Sequence, residues 1–265
     1  MNNTITYPSQ YEREFKDLKM FDDKFFKIVN KDRQVSKVIV DALLNNDSDN
    51  TTNQEHMIVH GGRSLIYDIY TVNDKENINI EIENNPLSPL RARYHTSVLD
   101  IYASHPNMDF KDMKDIKVIF LCSFDPIGKG LPVYHIGDMI KDINIPYDDK
   151  REILLVNGKA AHKGPLADII HDLQQTESSK MRNPILKRAM HHFKETEGGI
   201  ETMSEIWDRI EARGEVRGES KGVAKERLIS IKNVMLSLDC SLSQAMNILK
   251  IPQENYDMYK NLLKL

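Results

Sequence analysis

Three acidic residues lie in two neighbouring segments that alternate apolar and polar positions. Asp68 belongs to YDIYTV, and Glu81 and Glu83 belong to NINIEIE. Alternation with a period of two predicts β-strands, and the short connection between the segments predicts an antiparallel hairpin. If Asp74 and Lys75 form the centre of the turn, Asp68 lies opposite Glu81 on the same face of the hairpin.

This predicted pairing of carboxylates needs a physical explanation. Like charges directly opposite each other are destabilising, and opposed side chains on one face are only about 5 Å apart. Glu83 shares the face roughly 7 Å further along the strand. A cation such as Mg²⁺ or Mn²⁺, held by one or two carboxylates and by substrate phosphates, would neutralise the repulsion. The alternative is a set of acids on an outer surface that bind no metal.

The opposite face of the hairpin has the composition of a protein core. It carries Ile78, Ile80 and Ile82 on one strand and Tyr67 and Ile69 on the other. Because side chains alternate between the two faces of a strand, this apolar set and the acids point in opposite directions.

The composition limits the classes of function. The 265 residues carry 36 Lys and Arg against 40 Asp and Glu, a net charge of −4. Nucleic-acid binding would therefore require a local basic patch. The two cysteines form no disulfide framework, and the sequence shows neither a signal peptide nor a membrane span, so a cytoplasmic protein is expected.

The order of the predicted elements indicates an α/β fold. Apolar residues at helical spacing near the start predict two helices, and NNDSDNTTNQE reads as a polar loop. Three strands, a helix, a fully apolar strand in IKVIFLCSF and two further strands follow. We expect a mixed sheet flanked by helices, with DPIGKG as a turn and a helical C-terminal extension.

The helix after the hairpin carries two arginines near its beginning. Pro86 and Pro89 favour a helix start in LSPLRARYHTSVLDIY. An apolar stripe predicts the face that packs on the sheet: Leu87, Leu90, Tyr94, Val98 and Ile101. Arg91 and Arg93 could contact phosphate groups, and a solvated helix face is the alternative.

Several motifs in this order resemble the PD-(D/E)xK nuclease family transposases, also called recombination-promoting nucleases. The resemblance lies in GGRSLIYDIYTVNDKENINIEIEN, LRARYHTSVLD and VIFLCSFDPIGKGLPVYHI, and it extends to FDDKFFKIVN and the late Gly-Glu repeats. The usual Glu-x-Gln or Glu-x-Lys is replaced here by Glu81-Ile82-Glu83. In the next helix, His95 and Thr96 replace the usual Tyr and Gln.

The resemblance implies a restriction-endonuclease-like core and Mg²⁺- or Mn²⁺-dependent hydrolysis of DNA. It implies that Asp68 and Glu81 bind the metal, that Glu83 belongs to the catalytic set, and that Arg91 and Arg93 bind DNA. Asp23 and Lys24 of the early helix would approach the site. Two other functions stay open: a catalytically degenerate relative that binds DNA or oligomerises, and a small-ligand α/β domain with surface acids.

The C-terminal part carries a charged repeat with glycine at every fourth position. We expect a nuclease-like domain over residues 1–178 and a helical region over 179–265. In ARGEVRGESKGVAKE, glycines form one row along a helix, with basic and acidic rows beside it. Two such helices side by side would pair opposite charges, which suggests a homo-oligomer, and a flexible charged linker is the alternative. SLSQAMNILKIPQENYDMYKNLL predicts two short helices broken at Pro252.

Overall fold

A six-stranded mixed sheet is the central element of the computed structural model. The structure describes residues 7–9, 11–44, 51–59 and 62–263, without the side chains of 51–55 and 213–221. The strands of this part of the chain are β1 (Thr51–Met57), β2 (Leu65–Val72), β3 (Glu76–Glu83), β4 (Asp115–Cys122), β5 (Val133–Ile136), β6 (Asp138–Ile140), β7 (Ile145–Tyr147) and β8 (Arg151–Asn157).

The strand order in the sheet is β1-β2-β3-β4-β8-β5. β1, β2 and β3 form an antiparallel meander, β3, β4 and β8 are parallel, and β5 is antiparallel to β8. β6 and β7 form a separate two-stranded hairpin. The helices are α1 (Glu12–Asp17), α2 (Asp23–Val29), α3 (Arg33–Leu44), α4 (Pro89–Ala103), α5 (Gly164–Leu173), α6 (Pro184–Glu195), α7 (Glu197–Leu238), α8 (Leu242–Ile248) and α9 (Tyr256–Leu263).

Helices cover both faces of the central sheet. α4 packs on β3, β4 and β8, and α2 contacts β3 while α3 packs against α5 and α6. Phe120 of β4 and Leu155 of β8 are buried with Val98 and Leu99 of α4. The alternate residues of β3, Ile78, Ile80 and Ile82, point to the other face. The predicted α/β class, with a mixed sheet, flanking helices and a helical C-terminal region, is therefore confirmed.

The N-terminal part differs from the prediction in two places. The first predicted helix is divided into α1 and α2, which are separated by residues 18–22. β1 begins at Thr51, inside the segment predicted to be a polar loop. β1 lies at the edge of the sheet and pairs through its backbone with β2 alone, so its sequence does not need the apolar pattern of a central strand.

The buried face of α4 also differs from the predicted stripe. Leu90 and Ile101 are 64% and 58% exposed. The buried positions of α4 are Ala92, His95, Thr96, Val98 and Leu99. Leu87, Tyr94 and Val98 pack against the core as predicted. Because β3 presents polar side chains to this helix, His95 and Thr96 are buried here in place of Leu90 and Ile101.

The chain consists of two compact units, Met1–Met203 and Ser204–Leu265. α6 belongs to the first unit, so the division lies later than the predicted boundary at residue 178. In the second unit, α8 and α9 are separated around Pro252 as predicted, and Ser241 caps α8 through a reciprocal bond pair with Gln244. No helix in the described ranges is long and apolar enough to cross a membrane.

Candidate functional site

The β2–β3 hairpin has the register predicted from the sequence. Ile69 pairs with Ile80 and Tyr70 with Asn79, which brings Asp68 and Glu81 side by side at the end of the ladder. The backbone N–H of Asp68 donates to Glu81 Oε1 at 3.3 Å. The backbone N–H of Ile82 donates to Asp68 Oδ2 at 3.1 Å. The two carboxylates are thus neighbours, each held by the backbone of the opposite strand.

The acids are buried, and residues of α4 contact the two glutamates. Asp68 is 2% exposed, and Glu81 and Glu83 are 4% exposed. Burial raises the pKa of Glu81 well above its ordinary value, and the negative charge of Asp68 raises it further. Hydrogen bonds from Asn79 and from the Asp68 backbone oppose this shift, as does the charge of Arg91. The alternative of acids on an outer surface is therefore wrong for this hairpin.

Glu83 is directed away from the shared position expected for three acids. Its carboxylate Oε2 accepts a close hydrogen bond from Arg91 Nη1. Its Oε1 accepts from the backbone N–H of Asn85 at 3.0 Å. The other terminal nitrogen of Arg91 lies 3.9 Å from Glu81 Oε2. Arg91 therefore connects the two glutamates, and Glu83 neutralises an arginine that the sequence assigned to DNA.

A hydrogen-bonded chain beneath α4 holds the inner oxygen of Glu81. Asn79 Nδ2 donates to Glu81 Oε1 at 2.8 Å. Asn79 Oδ1 lies 3.1 Å from His95 Nδ1. Since this oxygen can only accept, we assign the proton of the imidazole to Nδ1. Burial first, then the charges of Arg91 and Arg63, lower the pKa of His95 to about 3, so the ring is neutral.

Tyr67 supports this chain from the same side. Its hydroxyl donates to the backbone carbonyl of His95 at 2.8 Å. Its ring stacks on the His95 ring at 5.6 Å between centroids. The prediction that Tyr67 joins Ile69 on the opposite, apolar face is therefore wrong. The side chain of Tyr67 packs with residues of α4 and β4, beside the buried imidazole of His95.

An arginine-lined groove of about 540 Å³ lies at the start of α4. Arg91 and His95 belong both to its lining and to the contacts of the glutamates. Arg63 and Arg93 contribute two further guanidinium groups, and both residues are exposed. The groove thus carries three guanidinium groups, although the chain as a whole has a net charge of −4.

α2 contributes a lysine that the sequence analysis did not select. Burial alone would lower the pKa of Lys27, but the hydrogen bond to Asp23 and the charges of Asp68 and Glu81 outweigh burial and raise it. Asp23 pairs with Lys27 at 2.6 Å. The charge of Lys27 therefore links the early helix α2 to the acids. Asp23 forms an ion pair with Lys27.

The donor set fits a hard divalent cation at two carboxylates. Asp68 and Glu81 supply neighbouring oxygen donors, and carboxylate oxygens are the protein ligands that Mg²⁺ prefers. Glu83 does not join them, because Arg91 occupies its carboxylate. Across the described ranges, no three Asp, Glu, His or Cys side chains form a group that could hold a metal ion. Glu83 therefore lies outside the pair of neighbouring carboxylates formed by Asp68 and Glu81.

The segment DPIGKG forms a turn, as predicted. Asp125 accepts hydrogen bonds from the backbone N–H groups of Gly128 and Gly130, each at 2.8 Å. The hydroxyl of Tyr134 donates to Asp125 at 2.6 Å. This bond, with the backbone donors, lowers the pKa of Asp125 to about 2. The turn is thus stabilised internally by its own carboxylate.

The sequence analysis missed the polar layer under α4. Four alternate residues of β3 are buried and polar: Asn77, Asn79, Glu81 and Glu83. Their alternation along β3 was visible in the sequence. The stripe predicted for α4, however, placed apolar residues against the sheet, so the helix was not expected to contact these polar side chains.

Comparison of the chain with protein-family models, with curated proteins and with solved structures found no match.

Proposed function

We propose that the chain is a Mg²⁺- or Mn²⁺-dependent DNA endonuclease whose centre is the Asp68–Glu81 pair. One observation carries the proposal: Arg91, which lies beside two neighbouring buried carboxylates, also lines a groove that two further arginines share. Such a surface is suited to a phosphodiester, since carboxylates hold the cation and guanidinium groups hold phosphate oxygens. The resemblance to recombination-promoting nucleases supports DNA as the substrate and recombination of mobile elements as the occasion.

Each residue has a separate role in this proposal. Asp68 and Glu81 would hold a divalent cation, which would supply Lewis-acid activation and neutralise charge on the phosphate. Asn79 fixes one oxygen of Glu81, and neutral His95 fixes Asn79. Arg63 and Arg93, which are exposed in the groove, bind the DNA backbone.

Nicking of a supercoiled plasmid tests this function. We expect the full chain to nick DNA with Mg²⁺ or Mn²⁺ and to lose activity by at least about a hundredfold as Asp68→Asn or Glu81→Gln. Glu201→Gln, which neutralises an exposed acid of α7, is the matched control and should retain activity. Equal activity of the wild type and Asp68→Asn would contradict the assignment of the site.

A catalytically degenerate DNA-binding protein is the second candidate, and Arg91 favours it. This arginine already neutralises Glu83 and lies near Glu81, so the pair has a counter-ion within the chain. Fluorescence anisotropy with a labelled duplex distinguishes the two candidates. Binding that falls at least about fivefold in Arg63→Gln/Arg93→Gln, without nicking by the wild type, would favour the second candidate.

We also propose that the chain forms a homo-oligomer through the Gly/charge repeat. The backbone of α7 is helical throughout this repeat, while the side chains of residues 213–221, and so most of the predicted charge rows, lie outside the described residues. Analytical ultracentrifugation should give the mass of two 30.6 kDa chains. Gly218→Leu should halve that mass, and an unchanged mass would contradict the interface.

With DNA as substrate and two free cysteines, the proposed location is the cytoplasm.

A further inference from the structure

Glu83 and Arg91 form an ion pair whose two members differ in exposure. The side chain of Glu83 is 5% exposed and that of Arg91 is 45% exposed. The guanidinium of Arg91 therefore lines the groove and also contacts the buried Glu83. Its central carbon lies over the Phe120 ring, 5.9 Å from the ring centre.

This arrangement puts a fixed positive charge next to the proposed metal ligand. Arg91 Nη2 is 3.9 Å from Glu81 Oε2, while Oε1 of the same carboxylate is already occupied by Asn79 and by the Asp68 N–H. A cation that binds Glu81 must therefore use the oxygen that faces Arg91. Two positive charges cannot occupy that position without repulsion.

We propose that Glu83 is a positioning residue that holds Arg91 beside the Asp68–Glu81 pair, and that Arg91 is the resident counter-ion with which a divalent cation competes. The inference rests on the proposed metal site and refines it. Glu83 acts through Arg91 and is not itself a ligand. Arg91 lines the groove as well, so a guanidinium displaced by the cation is already at the surface where phosphate would bind.

Binding of Mn²⁺ to the full chain, measured by calorimetry and by the loss of the free Mn²⁺ EPR signal, tests the competition. Arg91→Met removes the charge and keeps the apolar stem, so we expect binding at least about fivefold tighter than in the wild type. Arg93→Met removes the neighbouring exposed charge of the same helix and should change the affinity by less than about twofold. Arg91→Met alone leaves the buried Glu83 without its partner. The double variant Glu83→Gln/Arg91→Met, compared with Glu83→Gln, repeats the test without that unpaired acid.

The same variants separate an anchor from a ligand. If Glu83 acts only through Arg91, adding Glu83→Gln to Arg91→Met should weaken Mn²⁺ binding by no more than about threefold. Loss of about tenfold or more in that background would make Glu83 a ligand and overturn the proposal.

Two results distinguish a failure of this inference from a failure of the proposed function. Mn²⁺ binding that Asp68→Asn abolishes, but that neither Arg91→Met nor the double variant tightens, would overturn the inference alone. Absence of Mn²⁺ binding in the wild type, in Arg91→Met and in the double variant would overturn both.

Discussion

Glu81→Gln is expected to stabilise the protein at neutral and alkaline pH. Burial, then Asp68, raises the pKa of Glu81 to about 8 from an ordinary 4.5. Between these values the folded state retains a proton that the unfolded state has released. Stability of the wild type therefore falls as the pH rises through this window. The uncharged glutamine avoids that loss and keeps an oxygen for the bond from Asn79.

The magnitude follows from the size of the shift. A change from 4.5 to about 8 corresponds to roughly 5 kcal/mol at about 1.36 kcal/mol per pH unit. Asp68 and Arg91 adjust when Glu81 ionises, so we expect about 2 to 4 kcal/mol at pH 8 and about zero near pH 4.5.

Urea unfolding from pH 4.5 to 8 in EDTA measures this difference. The control is Glu201→Gln, which changes an exposed acid in the same unit and should remain within about 0.5 kcal/mol of the wild type at every pH. Saturating Mn²⁺ should restore the stability of the wild type at pH 8 and leave Glu81→Gln almost unchanged. A difference between wild type and Glu81→Gln that does not vary with pH would refute the reasoning.

Three further predictions concern other parts of the first unit. Lys194→Met should reduce the free energy of unfolding by about 3 kcal/mol in urea, because the buried ammonium donates to three backbone carbonyls. Tyr134→Phe should raise the pKa of Asp125 from about 2 towards an ordinary value of about 3.9 in a carboxyl NMR titration. Asp68→Asn should lower the pKa of Lys27 in a lysine NMR titration, because the Asp68 carboxylate helps to raise it.

Each of these predictions has a matched control. Lys187→Met changes an exposed lysine of α6 and should cost less than about 0.5 kcal/mol, so an equal cost for both lysines would contradict the role of Lys194. The carboxyl signal of Asp109 should not change with Tyr134→Phe. A pKa of Lys27 that stays constant in Asp68→Asn would contradict the electrostatic link.

The hairpin register was predictable because two local patterns agreed. The polar turn and the alternation of isoleucine with polar residues both place Asp68 opposite Glu81, and no long-range contact is needed for that inference. The apolar run of β4 similarly predicted a strand covered on both faces.

The environment of the acids was not predictable in the same way. Whether Glu81 faces water or a helix depends on how α4 is turned to the sheet. The predicted stripe was correct for Leu87, Tyr94 and Val98 but wrong for Leu90 and Ile101. The contacts of His95 and Arg91 with β3 span 8 to 16 residues and depend on how α4 is turned, which the alternation within β3 does not encode. These contacts bury Glu81, which raises its pKa, and bring the charge of Arg91 close to it, which lowers its pKa.

Glu83→Lys provides a final test of how the site is built. The resemblance to PD-(D/E)xK nucleases alone suggests that lysine would suit this position, because Glu-x-Lys is a usual pattern among those enzymes. In the structure, lysine would face Arg91 in the buried layer and replace an attraction with a repulsion. We expect Glu83→Lys to lose about 1 to 3 kcal/mol of unfolding free energy, a range that allows for the half-exposed Arg91 side chain.

The charge-swapped variant Glu83→Lys/Arg91→Glu distinguishes this cause from a simple loss of fit. If the pair itself is stabilising, urea unfolding of the swapped variant should recover at least about half of the loss, and the two changes should be strongly non-additive in the double-mutant cycle. Additive losses would mean that Glu83 and Arg91 contribute independently. In that case lysine at position 83 would be tolerated no better with glutamate at position 91 than with arginine. The ion pair would then not explain why this chain carries an acid at position 83.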